Sequence, residues 1–138
     1  METIVLLMCG KNKLPHPAKA EDLYTSPRFI ESMNYAKSLT TQNNIYILSA
    51  KHGLLTLEQE VAPYDKSVYD MSSQEKKAWT DNVVNQLKEI SNTLIDKYIF
   101  LTDDDYCNEF IPLLPNIELP LKGIKQDEHI TFYKQQQK

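Results

Sequence analysis

Apolar residues keep two distinct rhythms along this chain. They run unbroken from Ile4 to Met8, and the same solid pattern returns over residues 45–48 and 98–101. Short runs of this kind suit strands covered on both faces, as in a parallel sheet. Between the runs, apolar positions fall three and four apart. Phe29, Ile30, Met33, Ala36 and Leu39 form one such stripe, and Trp79, Val83, Leu87, Ile90 and Leu94 form another. Each stripe predicts an amphipathic helix packed on the sheet, with Trp79 in the core rather than serving as a stacking platform for a base. The helix starts are marked. Ser26 precedes Pro27 at the first helical position, and Ser72-Ser-Gln-Glu75 matches a capping box.

The remaining segments fit around these elements. The first strand, over residues 3–9, ends at Gly10, and the proline-containing loop of residues 10–17 brings Lys11, Lys13 and His16 to its end. Leu23 and Tyr24 lie where the chain can turn back over that loop. The second strand follows the polar turn of residues 40–44, giving a right-handed βαβ unit with parallel strands. Residues 54–61 suit a helical turn or an extended segment equally and are left irregular. A third strand over residues 98–102 leads into Asp103-Asp-Asp105, which caps a short helix running through Phe110 to Leu114. Residues 116–121 supply an edge strand, because Pro120 cannot donate to a ladder. A last helix is expected over residues 124–134, with a frayed end at 135–138. The predicted fold is a single three-layer α/β domain over residues 1–138. Its mostly parallel sheet has about four strands, with helices on both faces.

Composition narrows the function classes. The chain has 138 residues, enough for one domain with a real core, and 41% hydrophobic with 25% charged residues is a globular balance. The longest apolar run is too short to span a bilayer and no signal-peptide pattern opens the chain, so a cytoplasmic protein with no membrane association is expected. Only Gly10, Gly53 and Gly123 are glycines, each after a strand-like segment, which predicts three strand-end turns needing glycine geometry. Net charge is −4, against a generally basic nucleic-acid-coating surface. The charge is uneven: residues 1–53 carry six Lys or Arg against four Asp or Glu, and residues 54–138 carry nine against fifteen. Lys11, Lys13, Lys19, Arg28 and Lys51 form either a local basic patch or ordinary solvated charges. The acidic second half offers a surface to a protein partner.

The candidate chemistry lies at strand ends. In open α/β sheets, ligands bind outside the carboxyl ends of the strands. If the first two strands are neighbours, Cys9-Gly-Lys-Asn-Lys13 and Ser49-Ala-Lys-His-Gly53 open on one edge and gather lysines, an imidazole and free backbone N–H groups. That set suits an anion, most simply a phosphate, although no Walker or Gly-x-Gly-x-x-Gly pattern occurs. Pro63 presents Tyr64 and Asp65 on a rigid loop, with Asp65 twelve residues beyond Gly53. His52 with Asp65 is adequate for acid–base work at an anomeric carbon, or forms a structural hydrogen bond. Glu58 and Glu60 are weaker carboxylate candidates. Cys9, flanked by loop lysines, is a candidate nucleophile, against which stands its place inside an apolar run. No metal or other cofactor is expected: the two cysteines lie far apart, and Asp103-Asp-Asp105 lacks the ligand spacing of a cation loop.

Taken together, Cys9-Gly-Lys-Asn-Lys13, Leu23-Tyr-Thr-Ser-Pro27, Tyr46-Ile-Leu-Ser-Ala-Lys-His-Gly-Leu54 and Pro63-Tyr64-Asp65 resemble a small bacterial and phage domain family of unknown function. That likeness covers nearly the whole chain. Residues 45–65 are also similar to the YaaA peroxide-stress proteins. The resemblance implies an α/β domain whose motif loops face one pocket, with a role on DNA or nucleotides. This chain departs from the pattern after the third strand, where Asp103-Asp-Asp105 replaces a glycine-rich basic stretch, and it has no helix-hairpin-helix segment. The expected function is nucleotide or nucleic-acid processing, with an N-glycosidase or base-processing hydrolase as the enzyme class. The alternative is a non-catalytic DNA- or nucleotide-binding protein of a stress response or a phage. Expected binding residues are Cys9, Gly10, Lys11, Lys13, Tyr24, Ser26, Ser49, Lys51, Gly53 and Tyr64, with His52 and Asp65 catalytic.

Overall fold

A computed structural model describes residues 1–136. The elements in chain order are β1 (Thr3–Met8), β2 (Ala18–Lys19), α1 (Ala20–Leu23), α2 (Pro27–Leu39), β3 (Ile45–Ser49), β4 (Gly53–Thr56), β5 (Glu60–Val61), α3 (Ser73–Ile90), β6 (Lys97–Leu101), α4 (Asp104–Cys107), β7 (Ile117–Glu118) and α5 (His129–Gln136). The protein is a three-layer α/β domain whose five-stranded sheet runs β4-β3-β1-β6-β7. β1 pairs in parallel with β3 (Val5 opposite Ile45) and with β6 (Leu6 opposite Phe100), and β6 pairs in parallel with β7. The chain therefore steps from β1 to one side and then crosses back to the other. Right-handed crossovers in opposite directions put α2 and α3 on opposite faces. The carboxyl end of β1 is where the strand order reverses.

The core follows from the solid runs. Val5, Leu6, Leu7, Ile47, Leu48, Phe100 and Leu101 are fully buried, and Phe29, Met33, Ala36, Val83 and Leu87 cover them from the helices. Both predicted caps form. Ser26 Oγ accepts from Phe29 N at 3.2 Å, while Ser72 and Glu75 bond reciprocally at 3.1 and 3.2 Å. Trp79 is buried, and its Nε1 donates to the Ser49 carbonyl at 2.9 Å, tying α3 to the end of β3.

Several expectations are corrected. The sheet has five strands, because residues 53–56 return antiparallel to β3 with Ser49 opposite Gly53. Residues 60–61 pair with residues 18–19 in a separate ribbon. The segment left irregular thus completes two ladders, whose partners lie outside its own local pattern. Ile30 is half exposed because Ser32, rather than Ile30, completes the buried face of α2. Leu94 lies beyond the Ser91 C-cap of α3 and is exposed. Gly53 and Gly123 have φ of 76° and 80°, but Gly10 does not take a left-handed conformation. What Gly10 provides is close approach, since a β-carbon there would lie 3.2 Å from Ser26 Oγ. The edge strand is only Ile117–Glu118, the short helix is α4 followed by a 3-10 turn ending at Phe110, and the last helix starts at His129 rather than residue 124. That helix continues through Gln136, so residues 135–136 are helical, and the remainder of the expected frayed end, residues 137–138, lies outside the described residues. Among the described residues, no helix is long and apolar enough to cross a membrane.

Candidate functional site at the carboxyl edge of the sheet

Because β1, β3 and β6 are parallel, the segments following Met8, Ser49 and Leu101 all open on one edge. The loop after β1 is fixed by its return partner. Lys13 bridges Tyr24, Leu14 N donates to the Leu23 carbonyl at 2.9 Å, and Thr25 N donates to the Asn12 carbonyl at 3.0 Å. The chain therefore does fold back over this loop and lays Tyr24 beneath it.

At the centre is a chain of hydroxyls. Ser49 Oγ, fully buried, accepts from the backbone N–H groups of Lys51 and His52 at 3.2 and 3.1 Å. It donates to Tyr64 Oη at 2.7 Å, and Tyr64 Oη in turn lies 2.7 Å from Tyr24 Oη. Tyr24 is 2% exposed, whereas Tyr64 is half-buried. Two cationic or titratable groups frame Tyr64. Lys13 Nζ stands 4.5 Å from its ring centroid, and the His52 ring meets it edge-on at 5.5 Å. Burial pushes the Tyr24 phenol up to about 12 and the Tyr64 phenol well above its usual value, so both carry their protons at neutral pH. Burial, helped by the neighbouring Lys51 charge, holds His52 below its ordinary 6.5 and keeps it neutral there.

The structure brings Cys9, Gly10, Lys13, Tyr24, Ser49, His52 and Tyr64 to one place, with Lys51 exposed on the adjoining turn. It does not join His52 to Asp65. Among the described residues no hydrogen bond or ion pair links the two, and the neighbour of the imidazole is Tyr64, one residue earlier on the same loop. Asp65 is exposed and Lys11 is exposed, while Ser26 is spent as the α2 cap. Gly53 serves as the left-handed turn residue behind His52. Cys9 is 5% exposed, with its Sγ 3.2 Å from Tyr106 Oη. Glu58 lines a cavity of about 270 Å³ with Glu21 and Tyr46, away from these loops at the other end of β3.

Two further features were not read from the sequence. Tyr106 is buried against Cys9, Tyr69 and Trp79, and burial raises its phenol. Asp103 does cap α4, its Oδ1 accepting from Tyr106 N at 3.2 Å, while its Oδ2 is held by Tyr69 Oη and Gln126 Nε2. Nothing in the local pattern marks Tyr69 or Gln126, which reach Asp103 across 34 and 23 residues. Beside this cluster lies a groove of about 390 Å³, walled by Lys11, Ser26 and Arg28 on one side and Gln126, Asp127 and Ile130 on the other. No group of three or more His, Cys, Asp or Glu among the described residues is arranged to hold a metal ion.

No curated protein matches this chain. The chain belongs to a family of unknown function, DUF6884, whose sequence model matches residues 4–135.

Proposed function

We propose that this member of a family without an assigned function is a nucleotide- or nucleic-acid-processing protein that acts at an N-glycosidic bond. The observation that carries the reading is the convergence of Lys13, His52, Tyr24 and Ser49 on Tyr64 at the carboxyl edge of β1 and β3. Such an edge is the ordinary place for a ligand in an open α/β sheet, and cations beside fixed O–H donors suit a phosphate-bearing one. In this reading Lys11, Lys13 and Lys51 hold phosphate, and Tyr64, the more exposed of the two tyrosines, lies against the nucleotide. As the C1′–N bond breaks, its electron pair stays on the base, to whose nitrogen His52 donates a ring proton, and His52 is reprotonated from solvent. Asp65 then takes a proton from the water that adds to C1′, or stabilises the sugar cation. Asp65 is exposed, whereas both oxygens of Asp103 are engaged. A target base within a duplex has to be flipped out first. The proposal extends to a kinship of residues 45–65 with the YaaA proteins and to a cytoplasmic location.

The separation of His52 from Asp65 favours a second reading, a binding module that sequesters a nucleotide or occupies a partner's nucleic-acid site, with its acidic half as the protein contact. One screen tells them apart: thermal stability measured against nucleotides, nucleosides, free bases and short single- and double-stranded oligonucleotides, with mass analysis of every hit. A ligand at a hundredfold excess over its Kd stabilises the fold by about 2.7 kcal/mol. Release of free base is expected, and it is lost in folded His52→Ala and Asp65→Asn. Unchanged ligand in a stoichiometric complex supports the binding module, and full turnover by both variants refutes the roles given to these two residues.

A further inference from the structure

The hydroxyl chain contains more protons than it has acceptors. Ser49 Oγ receives two backbone N–H groups, which fill both of its lone pairs, so its single proton goes to Tyr64 Oη. Two phenolic protons remain and only one phenol–phenol bond exists to take them. Ser49 Oγ also stands near the Tyr24 phenol, but its lone pairs are filled, and among the described residues neither phenol makes another hydrogen bond. If Tyr64 donated to Tyr24, the spare proton would sit on a side chain 2% exposed, where an unpaired donor is costly. With Tyr24 donating instead, the spare proton sits on half-buried Tyr64, beneath the Lys13 ammonium at 4.5 Å from its ring. Tyr64 Oη then accepts two hydrogen bonds and has one to give, an arrangement that polarises its remaining O–H.

We propose that Tyr64 is a phosphate-reading donor: its one spare O–H, aimed by Ser49 and Tyr24 and paired with Lys13, binds an anionic phosphoryl oxygen rather than the base. This rests on the nucleotide reading above and deepens it, because it separates the two tyrosines: Tyr64 touches the ligand and Tyr24 is a positioning residue behind it. The phosphoryl oxygen is common to free phosphate, a mononucleotide and a nucleic-acid strand, and the probes below distinguish these sources.

The test is calorimetric titration of the full chain with inorganic phosphate, a deoxynucleoside 5′-monophosphate, the matching nucleoside and a short single-stranded oligonucleotide. Tyr64→Phe keeps the ring that packs against Lys13 and His52 and removes only the oxygen. It is expected to weaken phosphate-bearing probes about tenfold or more, the loss of a hydrogen bond to a charged group, and to leave the nucleoside unchanged. Tyr24→Phe, which leaves the Tyr64 proton in place, changes the same affinities by less than about threefold. Equal losses for nucleotide and nucleoside in Tyr64→Phe, or a Tyr24→Phe loss as large as that of Tyr64→Phe, overturn the inference while the nucleotide reading stands. Tyr64-dependent binding of inorganic phosphate with no affinity for any nucleoside, nucleotide or oligonucleotide keeps the inference and removes the reading. Silence from all four probes removes both. Should Tyr64→Phe fail to fold, Lys13→Gln serves in its place, with loss confined to phosphate-bearing probes expected and an equal loss for the nucleoside counting against the proposal.

Discussion

At Gly53 the backbone takes φ of 76°, and a β-carbon would collide with Gln86 Oε1 and lie 3.0 Å from Asn82 Nδ2. Gln86 cannot simply withdraw, because its Oε1 accepts from Leu54 N at 2.8 Å. Gly53→Ala therefore meets both a left-handed backbone penalty and a packed partner. Urea denaturation should show a lowered midpoint with an unchanged slope, a loss of about 1–2 kcal/mol from the backbone alone. The glycine-histidine pair, visible in the sequence as a strand-end signal, has this dual use: Gly53 turns the chain so that His52 stands beside Tyr64 and β4 can pair with β3. The place of His52 at the end of β3 was legible, since a titratable group after a strand-like run is a local feature. Its partner was not, because whether Tyr64 or Asp65 faces the ring depends on which way one loop residue points.

Among the elements, α3 shows how much of the fold is local. Ser72 and Glu75 satisfy two orphan N–H groups reciprocally, and the bonds to Ser72 hold the Glu75 carboxyl below its ordinary 4.5. Ser72→Ala should cost about 1 kcal/mol at neutral pH by chemical denaturation. The sign of the pH effect follows from the lowered value: the carboxylate's contribution is present above 4.5 and lost as the pH falls through the folded value. Because Ser72→Ala keeps the backbone N–H that is the larger cause, only the part of its deficit owed to the side-chain bond is expected to shrink in acid. The cap of α2 at Ser26-Pro27 was equally plain, for the same reason: three or four consecutive residues contain the whole device. The β4 and β5 strands were not plain, since each is defined by a partner elsewhere in the chain.

At the scale of the whole molecule, α5 closes the chain's end against α2 and buries His129 completely. Its Nε2 lies 3.1 Å from the Ile124 carbonyl, which only accepts, so Nε2 carries the proton and Nδ1 stays bare and, among the described residues, unpartnered. Burial holds its pKa below 6.5, opposed by that carbonyl. The unfolded chain then binds a proton more readily, so stability should fall as the pH drops below 6.5 toward the folded value. His129→Phe should flatten that slope in urea unfolding measured across the window, with His52→Ala as the parallel variant, since His52 is also lowered. The single edge on which the β1 and β3 loops open waited on the strand order, whereas by itself the sequence determined the parallel α/β class, the two capped helices and the buried place of Trp79. Those features follow from hydrophobic period and capping, which act over a few residues. Only the tertiary structure decided that Tyr64 meets Ser49 and Tyr24 across 15 and 40 residues, that Cys9 faces Tyr106, and that Asp65 stands apart from His52. A hydrogen bond is made or lost within about an ångström, and loop paths of that accuracy are set by the packing of the whole domain rather than by neighbours in the chain.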